Sequence, residues 1–142
     1  MGGKLTSKNS VTINAPASRV WKALTDPAQI KEYMFGTNVT TDWKKGSPVT
    51  YSGVWEGKPY EDKGVIMNIV PEKIYHSTYY SPLSGKEDVP ENYANVIWEL
   101  SEKNGQTIIN LSMDNIETEE GRIKSEQNWD YVLSGMKTFV EK

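Results

Sequence analysis

The last part of the chain, from about Glu119 to Glu141, spaces its apolar residues as a helix does. They recur every three or four positions and form one stripe: Trp129, Val132, Leu133, Met136, Phe139 and Val140. The half of the segment that precedes this stripe is polar almost all round. We therefore predict a long helix, N-capped by Thr118, that docks tightly at its C-terminal half and leaves space for a pocket at its N-terminal half.

From residue 48 onward the pattern changes to period two, which is typical of strands with one buried face. Asn104-Gly105 separates two such runs and predicts a tight hairpin. The residues expected to share inward faces in the three preceding strands are Val49, Tyr51, Gly53 and Trp55, then Val65, Met67 and Ile69, then Ile74, His76, Thr78 and Tyr80.

The N-terminal part predicts one strand, from Ser7 to Asn14, followed by two short helices. Pro16 opens the first helix, and Asp26-Pro27 ends it and caps the second. A small edge strand is expected near residues 39–43. The full order, with about six to seven antiparallel strands before the long helix, predicts an α+β fold in a single domain spanning residues 1–142.

Composition and charge exclude several classes of function. The chain has no cysteine and one histidine, so we expect no disulfide, no metal site and no cofactor. Its 16 basic and 19 acidic residues are interspersed, which argues against nucleic acid as a partner. No apolar stretch approaches the ~20 residues of a membrane span, and no signal-peptide core is present, so we predict a cytoplasmic protein.

Catalytic signatures are missing, whereas polar aromatic residues are plentiful. No Gly-x-Ser-x-Gly, Gly-x-Gly-x-x-Gly or Walker pattern occurs, and adjacent carboxylates such as Glu61-Asp62 are interpreted as solvated surface. Five tryptophans and eight tyrosines stand against two phenylalanines. Aromatic rings that carry a hydroxyl or an N–H group are suited either to a cavity wall or to the core of a β-rich domain.

Several short motifs occur in a characteristic order along nearly the whole chain. They are Ile13-Asn14-Ala15-Pro16, Val20-Trp21-Lys22-Ala23-Leu24-Thr25-Asp26-Pro27, Thr41-Asp42-Trp43-Lys44-Lys45-Gly46, Tyr60-Glu61-Asp62-Lys63-Gly64, Pro90-Glu91-Asn92-Tyr93 and Gln127-Asn128-Trp129. This set resembles the AHSA1/SRPBCC family, the Hsp90 ATPase activator homologues of the Bet v 1/START-like superfamily. The resemblance implies a helix-grip fold, in which a curved antiparallel sheet wraps around the long C-terminal helix.

The same resemblance implies a cavity between sheet and helix that takes hydrophobic small molecules, lipids or polyketide-like compounds. Fold alone does not fix the function. The full Hsp90 activator has a separate N-terminal domain that contributes much of its chaperone binding, and no such domain fits in these 142 residues. Contact with an Hsp90-type chaperone is therefore the weaker expectation.

An apolar and aromatic wall is the candidate binding site, because pockets for small ligands are mostly apolar with a few placed polar groups. We expect a hydrophobic, aromatic or lipid-like molecule as the partner, and the alternatives are a chaperone-interaction module and a polyketide cyclase-like enzyme. The residues predicted to bind the ligand are Met34, Tyr51, Trp55, Met67, His76, Tyr80, Trp98, Trp129, Leu133 and Met136.

The enzyme hypothesis requires a group that moves protons, either a cavity tyrosine or His76. If the strand face of His76 is as predicted, this residue lines the cavity and can serve as a hydrogen-bonding group or general base. The favoured alternative is a core histidine held by a neighbour. No residue is nominated as catalytic.

Overall fold

The computed structural model describes residues 4–82 and 85–142, and for Trp55 its backbone alone. The strands are β1 (Leu5–Ile13), β2 (Asn38–Thr40), β3 (Pro48–Trp55), β4 (Lys58–Val70), β5 (Ile74–Tyr79), β6 (Ala94–Lys103) and β7 (Gln106–Ile116). The helices are α1 (Ala17–Thr25), α2 (Pro27–Tyr33) and α3 (Glu119–Val140), with a short 3-10 turn at Pro90–Asn92.

Within the described ranges, seven strands form one antiparallel sheet in the order β1-β7-β6-β5-β4-β3-β2. The sheet is curved, and α3 and the two short helices cover its concave side. The predicted helix-grip α+β fold is confirmed. The edge strand β2 is shorter than predicted and ends at Thr40.

Local sequence signals explain where the helices begin. The Asp26 carboxylate accepts a hydrogen bond from the Ala28 backbone N–H at 3.0 Å, and Pro27 occupies the first helical position of α2. The Thr118 hydroxyl accepts from the Gly121 N–H at 3.0 Å and caps α3. Both caps agree with the prediction.

Two hairpins have turns of two residues with positive φ. Asn104 and Gly105 have φ of 54° and 80°, and Glu56 and Gly57 have φ of 50° and 81°. This is the backbone of the type I′ turn, whose twist matches that of the flanking strands. The predicted hairpin at Asn104-Gly105 is confirmed.

The prediction for the inward face of β4 is wrong at Val65 and Met67. Ile66 pairs with Ser77 and Asn68 with His76, so Met67 is one extra residue on β4 and forms a β-bulge. The bulge shifts the alternation, because Ile66 is fully buried and Ile69, three residues later, also packs against the core, whereas Met67 between them is 45% exposed. Val65 is also exposed.

The face prediction for β5 is also wrong. Tyr75 and Ser77 are buried on the concave side, and Tyr79 lines the same side. His76 lies on the opposite face, as the alternation of a strand requires.

The two halves of α3 attach to the sheet differently, as the polarity of the sequence predicts. Val132, Leu133, Met136 and Val140 are all buried in the core, together with sheet residues such as Ile109. The N-terminal half instead contacts β1 through polar groups. The Asn9 side-chain N–H groups donate to the Glu126 carbonyl and to Asp130 Oδ1, each at 2.8 Å, and the Ser7 and Ser125 hydroxyls are 3.0 Å apart.

Candidate functional site

A cavity of about 410 Å³ lies between the N-terminal half of α3 and the concave face of the sheet. This volume falls in the range of small-molecule sites, roughly 300–1,000 Å³. Its wall from α3 consists of Gly121, Lys124, Ser125, Asn128, Trp129 and Val132. The tightly packed part of α3 begins directly after these residues, so the cavity occupies the space that the polar first half leaves open.

Tryptophans from three parts of the chain line the cavity. Trp98 on β6 and Trp129 on α3 meet edge to face, with ring centroids 5.8 Å apart. Trp43, in the loop after β2, packs against Tyr75 at 5.6 Å. Aromatic side chains offer broad apolar surface to a ligand and lose little conformational freedom on binding.

Tyrosine hydroxyls supply several of the polar groups in this wall. The Tyr51 and Tyr75 hydroxyls are 3.0 Å apart and form a hydrogen bond, and the Tyr79 hydroxyl donates to Asp62 Oδ2. Burial raises the pKa of Tyr51, Tyr75 and Tyr79 above the ordinary value. These phenols therefore stay neutral at physiological pH and act through hydrogen bonds.

Asp62 is a carboxylate in the apolar wall. It lies on β4 directly opposite Tyr51 on β3, lines the cavity and is 9% exposed. Its Oδ2 accepts from Tyr79, but its Oδ1 is buried and has no hydrogen-bond partner among the described residues. A buried acceptor without a donor costs about 1–3 kcal/mol, so this oxygen requires an explanation.

Phe35 and Tyr131 mark the mouth of the cavity. Phe35 lines the cavity and is 44% exposed, and its ring lies parallel to that of Tyr131 with centroids 5.3 Å apart. Asn128, one helical turn before Val132, is likewise exposed and lines the cavity. The opening therefore lies between α3 and the residues that follow α2.

The structure brings four of the predicted ligand-binding residues together at the cavity, namely Met34, Tyr51, Trp98 and Trp129. Leu133 and Met136 are in the solid core beneath the second half of α3 and are not among the lining residues. The side chain of Trp55 lies outside the described residues.

Three predicted residues do not face the cavity. Met67 is exposed at the β4 bulge, as described above. His76 Nε2 lies 2.8 Å from Asn95 Oδ1 on the outer side of the sheet. Tyr80 is buried, but its ring stacks on Tyr93 and its hydroxyl donates to the Lys86 carbonyl at 2.6 Å.

Sequence reasoning missed Asp62, Tyr75, Tyr79 and Trp43. Asp62 belongs to an adjacent carboxylate pair, which was interpreted as surface. A usable signal was present, because Asp62, Gly64 and Ile66 alternate along β4 and place Asp62 on the face of a buried isoleucine. On β5, Tyr75 and Tyr79 lie on one face and His76 on the other, so the positions of aromatic residues did not show which face is buried.

A family model described as "Activator of Hsp90 ATPase homolog 1-like protein" matches residues 14–141. The chain belongs to this family. No protein with a curated functional description matches it in sequence. Within the described ranges, no helix has the apolar length of a membrane span, and no cluster of three or more histidine or acidic side chains could hold a metal ion.

Several solved structures resemble the chain in fold. The solution structure of ChR145 from Cytophaga hutchinsonii shares 45% identity and has a TM-score of 0.87, covering 99% of this chain and 97% of that one. The Aha1 dimer from Colwellia psychrerythraea shares 16% identity, with a TM-score of 0.75 and 96% of each chain covered.

The crystal structure of Ara h 8.0201 shares 14% identity and has a TM-score of 0.74, covering 97% of this chain and 98% of that one. The TM-scores of 0.74–0.75 show a common fold, and identities of 14–16% do not transfer a function.

Proposed function

We propose that this AHSA1-like protein binds an apolar, aromatic or lipid-like small molecule in the cavity under the N-terminal half of α3. The observation that carries the proposal is the cavity of about 410 Å³ within a core that is otherwise tightly filled. A void of this size forgoes packing contacts that side chains could have made, so a guest molecule would stabilise the fold.

The composition of the wall also supports a small-molecule guest. Trp43, Trp98 and Trp129 offer apolar surface, and Met34 adds a flexible side chain that adapts to the shape of a guest. The neutral tyrosine hydroxyls and Asp62 provide the few polar groups that orient ligands in such pockets.

The test uses naphthylethanol, a neutral apolar probe, and two matched variants on α3. Asn128→Trp adds a ring at the mouth of the cavity, whereas Gln127→Trp adds the same ring one residue earlier, where the side chain is exposed and does not line the cavity. NMR chemical shifts of the indole N–H groups follow binding.

We expect the probe to shift the Trp98 and Trp129 indole resonances in the wild type and in Gln127→Trp. In Asn128→Trp the affinity should fall by about tenfold or more, because the added ring occupies part of the cavity. The proposal fails if no resonance near Trp98 or Trp129 moves in the wild type. Native mass spectrometry of freshly purified protein would show whether a natural guest co-purifies.

The hypothesis of a polyketide cyclase-like enzyme has less support from the geometry. One candidate proton carrier, His76, lies on the outer face of the sheet and is hydrogen-bonded to Asn95. The other candidate, a cavity tyrosine, has a raised pKa and is a poor base. Asp62 lines the cavity, and its Oδ1 has no hydrogen-bond partner among the described residues.

Contact with an Hsp90-type chaperone is a second candidate function, and family membership is what favours it. Added to such a chaperone, the protein should bind and raise its ATPase rate if this hypothesis holds. A flat ATPase titration would exclude that role. A cytoplasmic location stays a prediction from the sequence.

A further inference from the structure

The hydrogen bonds made within the described residues leave one oxygen of the Asp62 carboxylate without a donor. Its carboxylate lies between the Tyr51 position on β3 and the Tyr79 hydroxyl from β5. No described residue donates a hydrogen bond to Oδ1. The nearby Tyr51 and Tyr75 hydroxyls bond to each other instead. The fold therefore satisfies one oxygen of this buried carboxylate and leaves the other without a donor from the described residues.

No cation among the described residues forms an ion pair with Asp62, although Lys124 lines the same cavity. The ion pairs within residues 4–82 and 85–142 do not include it, and the adjacent Lys63 points away and pairs with Asp88. Burying a carboxylate without a partner is costly, and the cost is recovered when a positive, hydrogen-bonding group comes within reach.

The rings around Asp62 favour a cation as well. Tyr51 and Tyr79 pack 6.1 Å apart next to it, and Trp43 continues this aromatic wall through its contact with Tyr75. The faces of tryptophan and tyrosine rings attract ammonium groups, with a larger effect where water is excluded. One carboxylate among several such rings is a suitable arrangement for an amine and a poor one for an anion.

We propose that the natural guest carries a protonated amine on an apolar or aromatic body, and that the amine binds the Asp62 carboxylate at the wall of the cavity. This inference rests on the proposed function and names the substrate class of the same cavity. Tyr79 is a positioning residue, because its hydrogen bond to Oδ2 holds the carboxylate with Oδ1 directed away from the bond.

The test compares naphthylethylamine with naphthylethanol and naphthylacetate, which share the same ring system. In the wild type we expect the amine to bind at least about tenfold more tightly than the alcohol, and the acid to bind most weakly, because a hydrogen bond to a charged partner is stronger than a neutral one. Calorimetry gives the affinities, and the Trp98 and Trp129 indole shifts locate the probe.

Asp62→Asn tests the residue itself. It keeps the shape of the side chain and removes its charge, so the amine should lose its advantage, and the ratio of the amine and alcohol affinities should fall from about tenfold or more to about one. Glu61→Gln is the matched control, since it removes the same charge from the adjacent, exposed position and should leave the preference intact. Tyr79→Phe should weaken binding of the amine severalfold more than binding of the alcohol.

Two results would overturn the inference while the proposed function stands. One is a wild type that binds the alcohol as tightly as the amine, a comparison that requires no variant to fold. The other is a folded Asp62→Asn that keeps the full preference for the amine. If none of the three probes binds, the cavity proposal fails, and the amine proposal fails with it.

Discussion

Trp98 of β6 and Trp129 of α3 are in edge-to-face contact, with ring planes at 87° and centroids 5.8 Å apart. This pair stands where the cavity ends and the solid core begins, because Leu133, one turn further along α3, is 1% exposed and belongs to the core. Two residues one helical turn apart thus have different environments.

Trp129→Ala and Leu133→Ala should therefore separate binding from stability. Leu133→Ala leaves a hole in the core and should lower the free energy of unfolding by about 2–5 kcal/mol. Trp129→Ala removes part of the cavity wall, so it should reduce the affinity for naphthylethanol by about tenfold and cost less stability. Urea denaturation and probe titration measure the two effects. Equal loss of affinity in both folded variants would contradict this division.

Gly64 is needed for the close approach of β4 and β5. A Cβ at this position would collide with the Thr78 carbonyl oxygen, which is backbone and cannot rotate away. Gly64→Ala should lower the free energy of unfolding by about 1–3 kcal/mol or more, because the two strands must separate. Thermal and urea denaturation would measure this loss.

Gly135→Ala is the control for that substitution. In α3, a Cβ at residue 135 would lie 3.4 Å from the Tyr33 Cβ, an ordinary van der Waals contact. Alanine is the better helix former by up to about 1 kcal/mol, so this variant should be as stable as the wild type or more so. A Gly64→Ala protein as stable as Gly135→Ala would show that the strands shift at little cost.

Four tyrosines of the cavity wall should make the protein sensitive to alkaline pH. Burial raises the pKa of Tyr33, Tyr51, Tyr75 and Tyr79 in the folded state, whereas in the unfolded chain they ionise near the ordinary pKa of about 10. Above that pH the unfolded state releases protons that the folded state retains, so stability falls as pH rises.

The contribution of these buried, neutral tyrosines to the free energy of unfolding is thus fully present below about pH 10. Above that pH, each of them lowers the free energy of unfolding by up to about 1.4 kcal/mol per pH unit. The phenolate absorbance should rise for these four tyrosines together with the loss of structure seen by circular dichroism. Ionisation of all eight tyrosines before unfolding would be incompatible with their burial.

His76 should matter for stability and leave ligand binding unchanged. Asn95 donates through Nδ2 to Asp114 Oδ2 at 3.0 Å, which fixes its Oδ1 as an acceptor for the His76 Nε2–H. His76→Ala removes this bond and should cost about 0.5–1.5 kcal/mol of unfolding free energy.

The affinity of the His76→Ala protein for naphthylethanol should equal that of the wild type. Tyr75→Phe is the comparison, since it changes the neighbouring residue on the cavity side and removes the hydroxyl that bonds to Tyr51. A folded His76→Ala protein that no longer binds the probe would show that the histidine reaches the cavity.

The framework of the fold could be predicted because its signals are local. Thr118 and Asp26 cap helices through side-chain bonds to nearby backbone groups, and Asn104-Gly105 is suited to a turn with positive φ. The polarity difference along α3 likewise indicated where a cavity would form.

The site itself was less predictable because two strand faces had to be chosen by alternation alone. One extra residue at Met67 reverses the face of β4, and a bulge of that kind depends on pairing with β5. On β5, Tyr75 and Tyr79 face inward while His76 and Thr78 face outward, and both sets have residues suited to a strand. Asp62 was missed because its burial depends on tyrosines contributed by other strands.

The polar attachment of α3 to β1 has a consequence for guest selection. Asn9 contacts Glu126 and Asp130 through hydrogen bonds that water can replace at small net cost, whereas Leu133 is fixed by apolar packing. We therefore expect the start of α3 to separate from β1 more readily than its C-terminal half. A tilt of α3 would then admit larger compounds. The protein would select among them by the chemistry of the cavity lining, and a rigid size limit would not apply.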